Sequence, residues 1–278
     1  MAENNLKGMD DVSTAASDQI STLYHWQPFD SARLKVILRD RVIYCSDPNQ
    51  FNDPWDCKPH FNTAILDDPE EYEHHVQWIL GVSRRFFPGL SQSEQTSRED
   101  RLRSDRQFLE WHVNEMSEDM RSAITSRYRV YCLCPDALNL LMWAHYADSH
   151  KGICLEFATR NEVISKAIAV TYHSKFPTVR LYASTLRESL GPLLYKAAVW
   201  EYEQEYRLIA QERAAATDHE TLITENNFLK LPKSALISVI AGCRANFENV
   251  RAVVSEVAPD IQVKRAVQVP NHFKILIE

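Results

Sequence analysis

Glutamates stand at positions 201, 203 and 205 in Trp-Glu-Tyr-Glu-Gln-Glu-Tyr-Arg-Leu-Ile (200–209), and an apolar run follows at once. In an extended segment residues two apart share a face. A strand here would therefore align Glu201, Glu203 and Glu205 and set Arg207 behind them. Carboxylates so placed can stabilise a developing cation, or orient and deprotonate an acceptor. The competing reading is a solvated edge with Arg207 as ion-pair partner, worth only about 0–1 kcal/mol.

Two further clusters combine aromatic and polar side chains. One joins Tyr24, His25 and Trp26 to the Phe-Asn-Asp-Pro-Trp-Asp run 51–56, and the other is the continuous stretch from Met142 to Gly152. On a helix Met142 sits one turn before both His145 and Tyr146, which mixes a packing surface with hydrogen-bonding groups. Asn52 and Asp53 are turn-formers that also offer themselves to a ligand. His145 and His150 are five apart and do not share a helical face, so they make a poor metal pair. The six cysteines contain no Cys-x-x-Cys pair, and no metal site is expected. The dinucleotide, P-loop, zincin and nucleophile-elbow motifs are absent from the sequence. With only six glycines, little backbone is available to cradle phosphates.

The elements that must hold these residues can be read in outline. Residues 22–47 predict strand, helix, strand, with Asp30 or Ser31 as cap and Leu34, Ile37 and Leu38 at helical spacing. Residues 47–57 are turn chemistry. The composition then shifts: 67–127 reads as a helical insertion of two helices, 70–87 and 91–127. The first half of the second helix offers only Leu102 as a large apolar residue and is expected to be solvated. The core resumes with a strand at 128–134 and a helix or helical turn over 137–150 ended at Lys151-Gly152, where glycine suits the position after the cap. A strand at 152–157, a helical 161–169 running into an extended 169–173, and a helix over 179–200 interrupted near Gly191-Pro192 come next. Then follow a strand at 204–210, a polar loop at 214–226, a strand at 235–243, a helix at 246–258 and two closing strands. Strands at uneven spacing with helices of unequal length favour an α+β fold: a mixed, largely antiparallel sheet core carrying a helical insertion. Residues 1–21 are expected as a disordered polar lead, and 22–278 as one domain with 67–127 inserted.

Hydrophobic residues at 45% and charged residues at 25% are ordinary for a globular chain. The longest apolar run falls short of a membrane span, and the N-terminus lacks the apolar core of an export signal, so a cytoplasmic location with reduced thiols is expected. A net charge of −7 works against charge-driven nucleic-acid binding, leaving only a local basic groove for that role.

The motifs Tyr-His-Trp at 24–26, Phe-Asn-Asp-Pro-Trp-Asp-Cys at 51–57, Met142 to Phe157, and Trp200 to Ile209 together resemble the bacterial family known as domain of unknown function 2971. The likeness covers about residues 22–210. A weaker resemblance joins the order His25, Tyr146, Glu205 to the His-Tyr-Glu set of ADP-ribosyltransferases, with Glu203 and Glu205 matching that family's Glu-x-Glu pattern. The resemblance implies an ADP-ribosyltransferase-like core and NAD as the substrate, with no metal needed. Glu205 would hold the ribose and face the sugar cation, while Glu203 would orient or deprotonate the acceptor. Tyr146 would stack on nicotinamide and His25 would bond the adenosine ribose. Trp26 stands where the family places a glycine. Tyr24, Trp26, Asn52, Asp53, Trp143, His145, Lys151 and Arg207 complete the expected ligand contacts. The acceptor would be a macromolecule or water, 67–127 would dock a partner or inhibitor protein, and the setting would be a toxin or a phage-defence effector. A non-catalytic ligand-sensing or interaction module is the alternative, and a hydrolase of nucleic acid or nucleotides the third reading.

Overall fold

The computed structural model describes residues 12–182, 186–214 and 221–278. Strand β1 (Thr22–Gln27) leads into α1 (Ser31–Asp40), capped by Asp30 accepting from the Arg33 amide. Leu34, Ile37 and Leu38 are the buried residues of α1, as their spacing predicts. Arg41 takes a left-handed conformation that ends the helix and turns the chain into β2 (Val42–Tyr44).

The region 67–127 folds as three helices instead of two: α2 (Pro69–Phe86), α3 (Gln92–Ser104) and α4 (Arg106–Arg127). The break falls at Asp105, whose backbone is extended and whose carboxylate caps α4 by accepting from the Phe108 amide. On α3 only Leu102 is buried. It joins Leu66, Val76, Ile79, Leu80, Leu109 and Val113 in a cluster separate from the main core, so the insertion carries an apolar centre of its own.

Beyond it lie β3 (Tyr128–Leu133), α5 (Leu140–Tyr146), β4 (Ile153–Ala158), β5 (Ile168–Ala169), β6 (Thr171–His173), α6 (Leu186–Leu194), β7 (Tyr195–Ala197) and β8 (Tyr206–Glu212). The chain closes with β9 (Leu222–Glu225), β10 (Phe228–Lys230), β11 (Leu236–Ala241), α7 (Phe247–Val257), β12 (Gln262–Gln268) and β13 (Ile275–Ile277). One sheet runs β1-β4-β11-β12-β13 and a second runs β2-β10-β9-β8-β3, with β5 also on β8. Most pairings are antiparallel; β8 with β9, β11 with β12, and the small β6–β7 pair are parallel. The protein has an α+β fold. The sheets meet where Tyr24 and Cys134 exchange backbone hydrogen bonds, and Ser46 bridges Val130 to curl the second sheet back on itself. The largest apolar cluster takes residues from both sheets, including Leu23, Ile43, Leu133, Leu155, Phe157 and Leu208, and from α1 and α7.

Four further expectations are corrected. The helix foreseen over 179–200 shrinks to α6, because Tyr195 to Ala197 pair with Thr171 to His173 and a 3-10 turn follows at Ala198–Glu203; residues 183–185 of that prediction lie outside the described residues. The helix foreseen over 161–169 is a single 3-10 turn at Ile164–Lys166. Gly152 does not take the left-handed cap: Asp148, Ser149 and His150 carry the positive φ. A glycine is needed at 152 because a Cβ there would sit 2.3 Å from the Gln27 carbonyl oxygen. Finally, the stretch from Val12, expected within a disordered lead, packs: Val12 and Ala15 are buried, and Ala15 donates to the Ala167 carbonyl. Residues 1–11 of that lead lie outside the described residues. Among the described residues no helix is long and apolar enough to cross a membrane.

Candidate functional site

A cavity of about 750 Å³ opens between α1, β1, β3, α5 and the segment that carries the glutamates. His25, Trp26, Asn52, His145, Tyr146, Glu203 and Glu205 all line it, so seven of the residues singled out from sequence converge on one space. Tyr24, Asp53, Trp143, Lys151 and Arg207 do not line it. Tyr24 donates to Glu156 in a separate cluster with Ser238 and Lys264. Asp53 is spent inside its turn, accepting from the Trp55 amide. Trp143 is fully buried, its Nε1 donating to the Ala137 carbonyl at 2.7 Å, and Lys151 is exposed beyond α5. Arg207 lies directly behind the lining.

The glutamates reach the cavity by a route the alternation argument did not foresee. The segment 198–203 is a 3-10 turn, not a strand, and Gln204 follows it in a left-handed conformation at φ 46°. That kink turns Glu203 and Glu205 inward together and leaves Glu201 exposed. The Glu205 backbone is pinned twice, its amide donating to the Tyr172 hydroxyl at 2.8 Å and its carbonyl accepting from Val170. Asn139, the α5 cap, donates through its amide to the Tyr202 carbonyl and ties α5 to the 3-10 turn. Tyr146 is thereby held against Glu203, donating to Oε1 at 2.8 Å.

Behind this surface lies a buried ionic network. Arg207 is bidentate to Asp56 at 2.9 and 2.6 Å and reaches Glu205 through Nε at 2.7 Å and Nη2 at 3.1 Å. Lys196 of β7 bonds Glu205 at 2.8 Å and bonds Glu203 as well. Asp56, Glu203 and Glu205 thus share two cations, which leaves one formal negative charge in excess. Burial works against ionised Glu205, but the charges of Arg207 and Lys196 outweigh it and hold its carboxyl at about 2. Glu203 is pushed the other way: burial and the neighbouring Glu205 charge outweigh Lys196 and raise its carboxyl above 4.5. Two carboxylates two positions apart are therefore driven apart in acidity, the arrangement expected where one holds charge and the other exchanges protons. Burial and the charge of Glu203 also keep the Tyr146 phenol protonated, so it serves as a donor.

Acceptor capacity divides the pair further. A carboxylate offers about four acceptor positions. Glu205 accepts from two Arg207 nitrogens and from Lys196, which takes three of them. Among the described residues Glu203 receives Tyr146 and Lys196, so it retains capacity for a further donor in the cavity.

His25 stacks on Tyr131 with ring centroids 4.1 Å apart, and its Nδ1 lies 2.8 Å from the Cys132 carbonyl. A carbonyl only accepts, so Nδ1 carries the proton and Nε2 remains an acceptor. Burial pushes His25 down to about 4, assisted by the charge of Arg33. The neutral ring therefore contributes stability that is fully present above pH 6.5 and is lost as pH falls to 4, up to about 3 kcal/mol. Thermal melts of the wild type and His25→Phe between pH 6.5 and 4 are expected to converge as pH falls; parallel curves would remove this assignment.

Sequence reasoning missed Lys196, Asp56, Tyr131, Arg33 and the aromatic lining residues Tyr44, Phe51 and Phe228. Asp56 had a visible signal, since it closes the 51–56 run whose Asn52 and Asp53 were chosen instead. Lys196 had none, because nothing local marks the lysine of Leu-Leu-Tyr-Lys-Ala-Ala as inward-facing. Among the described residues no group of three or more His, Cys, Asp or Glu is disposed to hold a metal ion.

Residues 142–208 match the model of a family described as protein of unknown function (DUF2971). The match begins within α5, at Met142, and ends in β8, so it takes in Tyr146, Lys196, Glu203, Glu205 and Arg207. No curated protein and no solved structure matches the chain.

Proposed function

We propose that the cavity binds NAD and cleaves its nicotinamide–ribose bond, transferring ADP-ribose to a macromolecule or to water. The observation that carries this reading is the convergence of His25, Tyr146, Glu203 and Glu205, from distant parts of the chain, on one cavity walled by a surplus of carboxylates. As the glycosidic bond breaks, its electron pair passes to the ring nitrogen and neutralises nicotinamide, while positive charge grows on the ribose. A fixed carboxylate stabilises that charge more than it does the ground state.

Glu203 takes the sugar-facing role that the resemblance assigned to Glu205, because it carries fewer contacts than Glu205 and retains more acceptor capacity. Attack by the acceptor hydroxyl or by water forms the new bond to ribose and delivers a proton to Glu203. Glu205, held ionised, keeps Lys196 and Arg207 in place. The neutral Nε2 of His25 accepts from a ribose hydroxyl, and Tyr146 presents its ring to nicotinamide while its hydroxyl orients Glu203. The reading extends to a role as toxin or phage-defence effector, set by whichever macromolecule accepts the ADP-ribose, and 67–127, as a unit with its own apolar centre, suits the docking of a partner. The test is nicotinamide release from NAD by purified protein, measured with and without a bacterial lysate as source of acceptor. Release that depends on Glu203 supports the reading. NAD binding without release in either condition replaces it with a ligand sensor.

A further inference from the structure

The α1 side of the cavity holds polar groups to which the cleavage step gives no part. Arg33, in the first turn of α1, lines the cavity and has no ion-pair partner among the described residues. Its charge nonetheless reaches inward, since it acts on both His25 and Tyr131. Tyr131 and Gln27 line the same cavity at 4% and 5% exposure, and the Tyr131 hydroxyl and the Gln27 amide nitrogen are buried without a hydrogen-bond partner. Buried polar groups are rarely left unpaired, so uncommitted donors on residues that line a cavity point to an acceptor supplied by a ligand. Besides the indole Nε1 of the lining Trp26, the uncommitted groups are a guanidinium, a phenol and an amide. A phosphate, with several oxygens around one centre and negative charge, satisfies all three, and a guanidinium fits it in a bidentate manner.

We infer that Arg33, with Gln27 and Tyr131, holds the phosphate-bearing half of the ligand, so that the site selects a nucleoside diphosphate moiety over an unphosphorylated nucleoside. This rests on the proposed reading for the identity of the whole ligand, with its anionic part at Arg33 and its electron-poor ring and sugar at Glu203. The site would then discriminate substrates by phosphate, with nicotinamide riboside turned over poorly beside NAD.

The test titrates ADP and adenosine calorimetrically into wild type, Arg33→Ala and Arg33→Lys. Loss of a charge-assisted contact is expected to weaken ADP roughly ten- to a hundredfold in Arg33→Ala, with adenosine unchanged and Arg33→Lys in between. Arg33 is exposed, so an unchanged melting temperature is the accompanying check on the fold. ADP affinity that survives Arg33→Ala, or a wild type that does not prefer ADP to adenosine, overturns the inference. Arg33-dependent ADP binding in a protein that releases no nicotinamide leaves the phosphate site standing and removes only the cleavage reading. Nicotinamide release at subsaturating NAD that ignores Arg33→Ala does the reverse.

Discussion

Glu203→Gln is expected to lower nicotinamide release by about 10²–10³-fold while leaving the fold as stable as the wild type or more so. On the proposed mechanism the rate loss follows from removing one preorganised charge beside the sugar cation, for which losses of that order are typical. The stability outcome follows from the charge balance. Three carboxylates share two cations in the buried network, and removing the surplus charge leaves Asp56 and Glu205 matched against Lys196 and Arg207. Glutamine keeps an oxygen to accept from Tyr146. Glu205→Gln gives the opposite signature: it strips Lys196 and Arg207 of their shared partner, so activity and melting temperature fall together. Measuring both properties in both variants separates a group engaged in chemistry from one engaged in structure. Because the Glu203 carboxyl is raised above 4.5, its ionised form is lost at a higher pH than an ordinary glutamate's. The acid limb of the rate profile is expected to begin correspondingly early and to vanish in Glu203→Gln. A Glu203→Gln enzyme as active as the wild type would end the proposed mechanism.

Which residues meet at the cavity was more legible in the sequence than the path by which the chain brings them there. Period and capping signals are local, and where they decide the outcome the expectations agree with the structure: α1 with its Asp30 cap, β1, β3 and α7. Tertiary pairing was not legible. Lys196 entered the cavity because β7 pairs with β6, whereas the local composition around Gly191-Pro192 reads as an interrupted helix. The spacing of Glu203 and Glu205 suggested one strand face and the carboxylates do share a cavity, but through a left-handed Gln204 that no propensity marks. The hairpin between β9 and β10 did carry a signal that was read only as loop. Asn226 and Asn227 both take positive φ, and a two-residue asparagine turn is a hairpin signature.

Arg207→Met is expected to be the most destabilising single substitution in the site, at about 3–5 kcal/mol, and to lower the melting temperature by roughly 10 °C. The side chain is fully buried and satisfies Asp56 and Glu205 at once, so its loss leaves three carboxylates around Lys196 alone. Arg207→Lys retains the charge but cannot span both carboxylates with fixed forks, so it recovers only part of the loss. The double variant Arg207→Met, Asp56→Leu restores the wild-type excess of one negative charge and is expected to be more stable than Arg207→Met alone. The pH dependence supplies an independent reading. Glu205 sits at about 2 in the folded chain against 4.5 ordinarily, so its contribution is present above pH 4.5 and is lost as pH falls toward 2. In Arg207→Met the depression shrinks and the acid slope in that window flattens. Urea titrations at pH 7 and pH 3 give both quantities, and a loss below about 1 kcal/mol at pH 7 would mean that the network is an incidental feature of the core. Buried ion networks seldom outperform apolar packing in stability. Retaining one whose net charge is negative, directly behind an open cavity, makes sense where the excess charge acts on what the cavity holds.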